Sequence, residues 1–270
     1  MIRLYPTQRV SDGAGVLMRR VIGSTQFQDA NPFLLMDEFK NDDRREYEAG
    51  FPMHPHKGFE IITYMKKGAF SHRDSSGHEG HLGEGGVQWI TAGKGILHEE
   101  LPEKFDGDLL GFQLWVNLPK DHKLTEPQYS NFAAESIPVV QHEGLQVKVI
   151  AGTYEDQEGP VHTHHPIHYL DVMLHGGEFA VEANEVNVIF ITGGEVTIEA
   201  DGEKSIVHEG TILSITDVKT ITAHANEGSM VMLRAAALRE PVVKYGPFVM
   251  NTCEEIEQAI QEYQNGEFAK

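Results

Sequence analysis

Ile61-Ile62-Thr63-Tyr64-Met65-Lys66-Lys67-Gly68 is followed 18 positions later by Gly86-Val87-Gln88-Trp89-Ile90-Thr91. Both runs are rich in β-branched and aromatic residues, and glycine punctuates them. That grammar is strand, turn, strand. The same grammar recurs at Phe112-Gln113-Leu114-Trp115-Val116, Val147-Lys148-Val149-Ile150, Val186-Asn187-Val188-Ile189-Phe190-Ile191 and Met230-Val231-Met232-Leu233. Many short strands with frequent turn signals predict an all-β sandwich or barrel. Helical periodicity is missing until the end. There, Thr252 with Glu255 forms a capping-box pattern, and Ile256, Ala259, Ile260 and Tyr263 share one helical face. Gly266 is the expected stop, and a packing role is expected for this short α-helix. Cys253, in its first turn, is expected to be a small filler.

The halves repeat weakly. Phe190-Ile191-Thr192-Gly193-Gly194 is followed by Gly210-Thr211-Ile212-Leu213-Ser214-Ile215, and Gly194 and Gly210 stand 16 positions apart. Two similar β-domains in tandem are therefore expected, with a Pro- and charge-rich connector at 118–128. The division is placed at residues 1–125 and 126–270, the second part including the terminal helix.

Composition narrows the function. Of 270 residues, 40% are apolar and 23% charged, which excludes disordered, collagenous and membrane-spanning classes. The net charge of −19 would repel a phosphate backbone, so no direct nucleic-acid binding is expected. Cys253 is the lone cysteine, so no intrachain disulfide can form. With no apolar leader or spanning segment, a cytoplasmic protein without membrane association is expected. Histidine, at 15 copies, is the unusual component.

Two short pairs carry the chemistry. His54-Pro55-His56 places imidazoles at i and i+2, and His98-Glu99-Glu100 places an imidazole and a carboxylate at the same spacing. In extended chain these positions share a face. If the strands are neighbours, the pairs converge. Three imidazoles and one carboxylate suit iron, nickel, copper, manganese or zinc, with positions left open for substrate and dioxygen. Taken singly, each histidine reads as an ordinary core or surface residue. Pro55 cannot donate to a ladder, so its segment is expected at an edge, a strand start or a bulge.

The stretches Gly50-Phe51-Pro52-Met53-His54-Pro55-His56-Lys57-Gly58-Phe59-Glu60 and Gly86-Val87-Gln88-Trp89-Ile90-Thr91-Ala92-Gly93-Lys94-Gly95-Ile96-Leu97-His98-Glu99-Glu100 resemble the metal motifs of the pirin family, within the cupin superfamily. Asn31-Pro32-Phe33-Leu34-Leu35-Met36-Asp37-Glu38-Phe39, Gln113-Leu114-Trp115-Val116-Asn117-Leu118-Pro119 and Tyr245-Gly246-Pro247-Phe248-Val249-Met250-Asn251-Thr252 resemble pirin segments too. The resemblance implies a bicupin, two tandem cupin β-barrels with one divalent metal in the N-terminal one. It carries the family's ligand set onto His54, His56, His98 and Glu100, with iron(II) as the usual ion. Glu60 shares the parity of the histidine pair and is the reserve ligand, or a residue that orients one.

Some pirins are similar to quercetin 2,3-dioxygenases, which open flavonols with O2 and release carbon monoxide. A metal-dependent dioxygenase acting on a quercetin-type flavonol or a related enediol-like aromatic is the implied activity, with Glu100 as proton acceptor. The alternative is a non-enzymatic, iron-dependent redox sensor read by a protein partner. A third reading is a closed, structural ion. The second domain reads as degenerate, because Ala180, Glu182 and Val186 fall where residues 54, 56 and 60 stand in the first. His162, His164, His165 and His168 suggest either a second metal or a solvated loop. His72, His78 and His81 read as a loop near the barrel mouth, and Trp89 and Trp115 as core anchors.

Overall fold

The computed structural model describes residues 1–28, 30–103 and 108–269. The described chain is built of strands, with one α-helix, Cys253–Gln264. Every β run quoted above lies in a strand. No described helix is long and apolar enough to cross a membrane.

The chain forms two compact units, Arg9–Gly23 with Phe33–Ala134 and Leu238–Lys270, and Met1–Gln8 with Ser24–Pro32 and Glu135–Ala237. These differ from contiguous halves divided at 125/126, and strand pairing explains why. Gln128–Phe132 pairs with Val87–Thr91, so the first unit runs past the connector. Ile2–Pro6 pairs with Thr211–Ile215, so the first residues belong with the second half.

In the first unit the strands are β1 (Val16–Ile22), β2 (Phe33–Asn41), β3 (Phe51–His56), β4 (Phe59–Lys67), β5 (Phe70–Asp74), β6 (Glu79–Leu82), β7 (Val87–Thr91), β8 (Ile96–Pro102), β9 (Leu109–Asn117) and β10 (Gln128–Phe132). One sheet has the order β10-β7-β4-β9-β2-β1 with the strand Gln8–Asp12 beyond β1, and a four-stranded sheet has the order β3-β8-β5-β6. Residues 59 to 65 of β4 are all buried, as expected of a central strand. Phe59, Ile61 and Ile90 of the first sheet pack in one cluster with Ile96 of the second. β3, which contains Pro55, is an edge strand, where a missing donor costs no ladder bond.

In the other unit, β11 (Leu145–Ala151), β12 (Ile167–Leu174), β13 (Val186–Ala200), β14 (Thr211–Ile215) and β15 (Gly228–Ala235) form a sheet ordered β14-β13-β15-β12-β11. Its core is aliphatic and aromatic, including Val147, Leu170, Phe179, Ile189, Ile198 and Met232. β13 runs through Gly193-Gly194 instead of turning there. A register shift between Ile191 and Gly193 absorbs the glycines as a bulge.

The C-terminal segment completes the first unit. β16 (Val243–Tyr245) and β17 (Phe248–Met250) form a hairpin whose two-residue turn is Gly246-Pro247. Gly246 has φ +53°, as the first central position of a type II′ turn requires. The hairpin docks on the residue after His56. Lys57 N–H donates to Pro247 O (3.2 Å), and Val249 N–H donates to Lys57 O (3.0 Å). Gly58 must be glycine, because its φ is +88° and a Cβ would sit 2.0 Å from Val249 O.

Helix α1 (Cys253–Gln264) starts with the expected capping box. Thr252 Oγ1 accepts from Glu255 N–H, and Glu255 Oε2 accepts from Thr252 N–H. Ile256 and Ala259 are buried, and Gly266 follows the end in the left-handed conformation. Cys253 is exposed, so it is no filler. Thr252→Ala should lower stability by about 1 kcal/mol, because one orphan helical donor loses its acceptor. Chemical denaturation of the two proteins at one pH measures it.

Candidate metal centre

Antiparallel pairing of β8 with β3 sets His98 opposite His54 and Ile96 opposite His56. The three imidazoles converge. Ring centroids are 4.6 Å apart for His54 and His56, 4.4 Å for His54 and His98, and 4.9 Å for His56 and His98. One nitrogen from each lies within 4.8 Å of the other two, and this is the only such cluster of His, Cys, Asp or Glu among the described residues.

The electrostatics favour ligation. His98 is wholly buried and His56 nearly so. Burial, reinforced by the neighbouring imidazoles, holds both well below the usual histidine range, so both are neutral. Neither ring nitrogen of His56 or His98 has a hydrogen-bond partner. The Pro247 carbonyl opposes the shift of His56 only weakly, without reaching hydrogen-bond geometry. Orphaned buried nitrogens carry a cost that a cation would remove. At His54, Nδ1 lies 2.9 Å from Pro52 O, and that contact fixes the tautomer and leaves Nε2 to the cluster. These residues fit a divalent transition ion.

Glu100 stands outside this cluster. The register with β3 slips between His98 and Glu100, but β8 stays regular against β5, and both residues are buried on one face as the i, i+2 spacing expects. Its buried carboxylate accepts from three neutral groups. Thr63 Oγ1 (3.2 Å) and Gln88 Nε2 (2.9 Å) donate to Oε1, and Gln113 Nε2 (2.7 Å) donates to Oε2. Glu60 is buried in another environment, accepting from Trp89 Nε1 (3.2 Å) and Thr91 Oγ1 (3.0 Å).

A cavity of about 600 Å³ adjoins the histidines. Its walls include His54, His56, Arg20, Asp37, Gln113 and Trp115, with the Gly246-Pro247 turn on the rim. Trp115 is thus a cavity wall and no mere core anchor, stacked on Phe59 at 4.3 Å. Arg20 and Asp37 form a two-pronged ion pair, Nε to Oδ1 at 2.9 Å and a terminal nitrogen to Oδ2 at 2.8 Å. Sequence reasoning missed this pair and Gln113, because only the strand register reveals them as neighbours.

The other histidines fall elsewhere. His72 is buried in β5 instead of lying in a loop, and it stacks on Tyr129 at 4.5 Å. Asp74 links His72 (3.2 Å) to the half-exposed His78 (2.9 Å). His81 pairs with Glu103 on the surface. His162 lies 3.7 Å from Glu158, His165 reaches Ala236 O, and His168 reaches the Thr153 backbone. Among the described residues, these do not gather into a second metal cluster. Ala180 and Glu182 are exposed on their strand, in keeping with a degenerate second cupin.

A Pirin family model matches residues 15–116, and a model of the Pirin C-terminal cupin domain matches residues 169–269. A pirin-like protein of Caulobacter vibrioides is 39% identical over 274 residues, covering 99% of this chain and 98% of its own length. Human pirin is 38% identical over 262 residues, covering 94% of this chain and 89% of its own length. A crystal structure of quercetin 2,3-dioxygenase from Acinetobacter baumannii superposes with a TM-score of 0.89 at 31% identity, covering 99% of this chain and 97% of that one. With the histidine-bearing cupin and its second, degenerate partner both matched, the chain belongs to the pirin family.

Proposed function

We propose that this pirin is an iron(II)-dependent dioxygenase that opens quercetin-type flavonols, or related enediol-like aromatics, with O2. The observation that carries the reading is the placement of three converging imidazoles, two of them buried with orphaned nitrogens, beside a cavity of about 600 Å³. That volume suits a drug-sized ligand. A closed structural ion would need no such space, and neither would a sensor read only at its surface. The similarity to a structure named for this reaction supports the same reading.

The metal would be held by His54, His56 and His98, with Glu100 as fourth ligand. When bound, it would acidify a coordinated hydroxyl and make the substrate electron-rich toward O2. The chain's own residues do the rest. Burial keeps His56 and His98 neutral and hence able to donate electron pairs. Glu100 takes the flavonol 3-hydroxyl proton, steered by Thr63, Gln88 and Gln113. Trp115 and Phe51 on the cavity wall hold the aromatic rings and exclude water. Both oxygen atoms of O2 end in the ring-opened ester, and carbon 3 leaves as carbon monoxide.

Glu100→Gln should cut carbon monoxide release from quercetin about 100-fold or more in iron(II)-loaded protein. The variant's melting temperature should move far less, since most of the amide's contacts survive. Unchanged turnover would remove Glu100 from the reaction. No release from iron-loaded wild type would overturn the flavonol-cleaving reading.

A further inference from the structure

A polar row crosses the cavity-side sheet in register. Arg20 of β1 faces Asp37 of β2, and Asp37 faces Gln113 of β9. Gln113 faces Thr63 of β4, and Thr63 faces Gln88 of β7. The last three all donate to Glu100. Two residues along, Leu35 of β2 faces Trp115 of β9. The cavity wall therefore carries a polar stripe (Arg20, Asp37, Gln113) beside an apolar one (Leu35, Trp115). A planar aromatic with hydroxyls along one edge matches that division.

Arg20 lies two strands from Gln113, about 10 Å at ordinary strand spacing. This is about the reach from one end of a three-ring aromatic to the other. Asp37 is 5% exposed, and among the described residues its carboxylate accepts side-chain hydrogen bonds from Arg20 alone. A carboxylate has about four acceptor positions, so two remain for a ligand's O–H. Burial pushes the Asp37 carboxyl up despite the Arg20 guanidinium beside it. Arg20 is engaged by Asp37 and also by Asp12 (3.3 Å). It therefore offers no free positive charge to an anion.

We propose that the Arg20–Asp37 pair is the distal recognition point of the cavity, selecting a neutral planar aromatic with a hydroxyl at its far end and rejecting one with a carboxylate there. The inference rests on the flavonol-type reading and specifies its substrate class. Buried acceptors discriminate strongly, because a ligand lacking the donor leaves them unpaired.

The test is equilibrium binding to zinc-loaded protein without oxygen, read by tryptophan fluorescence and calorimetry. The probes are quercetin, galangin, which lacks the distal-ring hydroxyls, and a 4′-carboxyflavonol. Wild type should bind quercetin about tenfold more tightly than galangin, and the carboxylate most weakly. In Asp37→Asn the first ratio should fall to within about twofold, and the carboxylate should gain about tenfold as Arg20 is released. Arg20→Gln should keep the hydroxyl preference and weaken the carboxylate further, and it stands in should Asp37→Asn fail to fold. A quercetin-to-galangin ratio unchanged in Asp37→Asn, or a carboxylate affinity unchanged in Arg20→Gln, overturns the inference. Wild type with the expected ratios but no carbon monoxide release defeats the dioxygenase reading and leaves this one standing. Carbon monoxide release with equal affinities for quercetin and galangin does the reverse.

Discussion

Metal-free His98→Leu is expected to unfold at a temperature no lower than metal-free wild type, while added metal raises it far less than it raises wild type. The two halves of this result have separate causes. In the metal-free fold, His98 is wholly buried and both its ring nitrogens lack partners. An unsatisfied buried polar group costs about 1–3 kcal/mol, and leucine of similar volume removes it. In the loaded protein, one of three converging imidazoles is gone. Removing even a supporting group around a ligand typically costs about 10–100-fold in metal affinity, so losing the ligand should cost more than 100-fold. At saturating metal, a thousand times the dissociation constant stabilises wild type by about 4 kcal/mol. Thermal melts of both proteins with and without iron(II), nickel(II) and zinc(II) read both halves at once. A metal-dependent rise as large in His98→Leu as in wild type would exclude His98 as a ligand. A large drop in the metal-free variant would instead assign the histidine a structural duty.

The strands and the histidine cluster were legible because both depend on local alternation. β-branched and aromatic runs make strands wherever the pleat can bury one face, and His54 and His56 share parity within one unbroken strand. The irregular pairing of β3 with β8 beyond His54 was not legible, since the parity rule assumes a regular pleat, although His98 and Glu100 do keep one buried face. The same limit hid the continuation of β13 through Gly193-Gly194, where a bulge takes the place of the expected turn. His72 was misread because glycines and charges around it suggested a loop, yet Phe70 and Leu82 anchor that hairpin in the core. Arg20, Asp37 and Gln113 become neighbours only through registers spanning nearly a hundred positions. No spacing within one segment signals them. The metal motif thus announces itself in sequence, whereas the wall that would choose the substrate does not.

Lys123 carries the other large effect. It is 2% exposed, and its ammonium donates to Gly58 O (2.6 Å), Asn117 Oδ1 (2.6 Å) and Val249 O (2.9 Å). One side chain thereby ties the segment after His56 to the C-terminal hairpin, whose Gly246-Pro247 turn borders the cavity. Lys123→Met keeps the apolar stem but leaves three acceptors without this donor. Stability should fall by on the order of 3 kcal/mol, at about 1 kcal/mol or more for each. KM for the proposed aromatic substrate should rise as the turn loosens. Burial also lowers the Lys123 ammonium to about 7, against an ordinary 10.5. Between these values the unfolded chain holds the proton and the folded one does not, so this group makes stability rise with pH. Below about 7 both states are protonated, and the desolvation penalty applies in full. The stability difference, wild type minus Lys123→Met, should therefore widen from pH 6 to pH 9, because every other titrating group cancels in the comparison. Denaturant unfolding of both proteins at pH 6, 7.5 and 9 tests this. Parallel pH curves would mean that Lys123 keeps an ordinary ammonium. Equal stabilities at every pH would mean that water replaces it as the donor between the hairpin and the segment after the histidine-bearing strand.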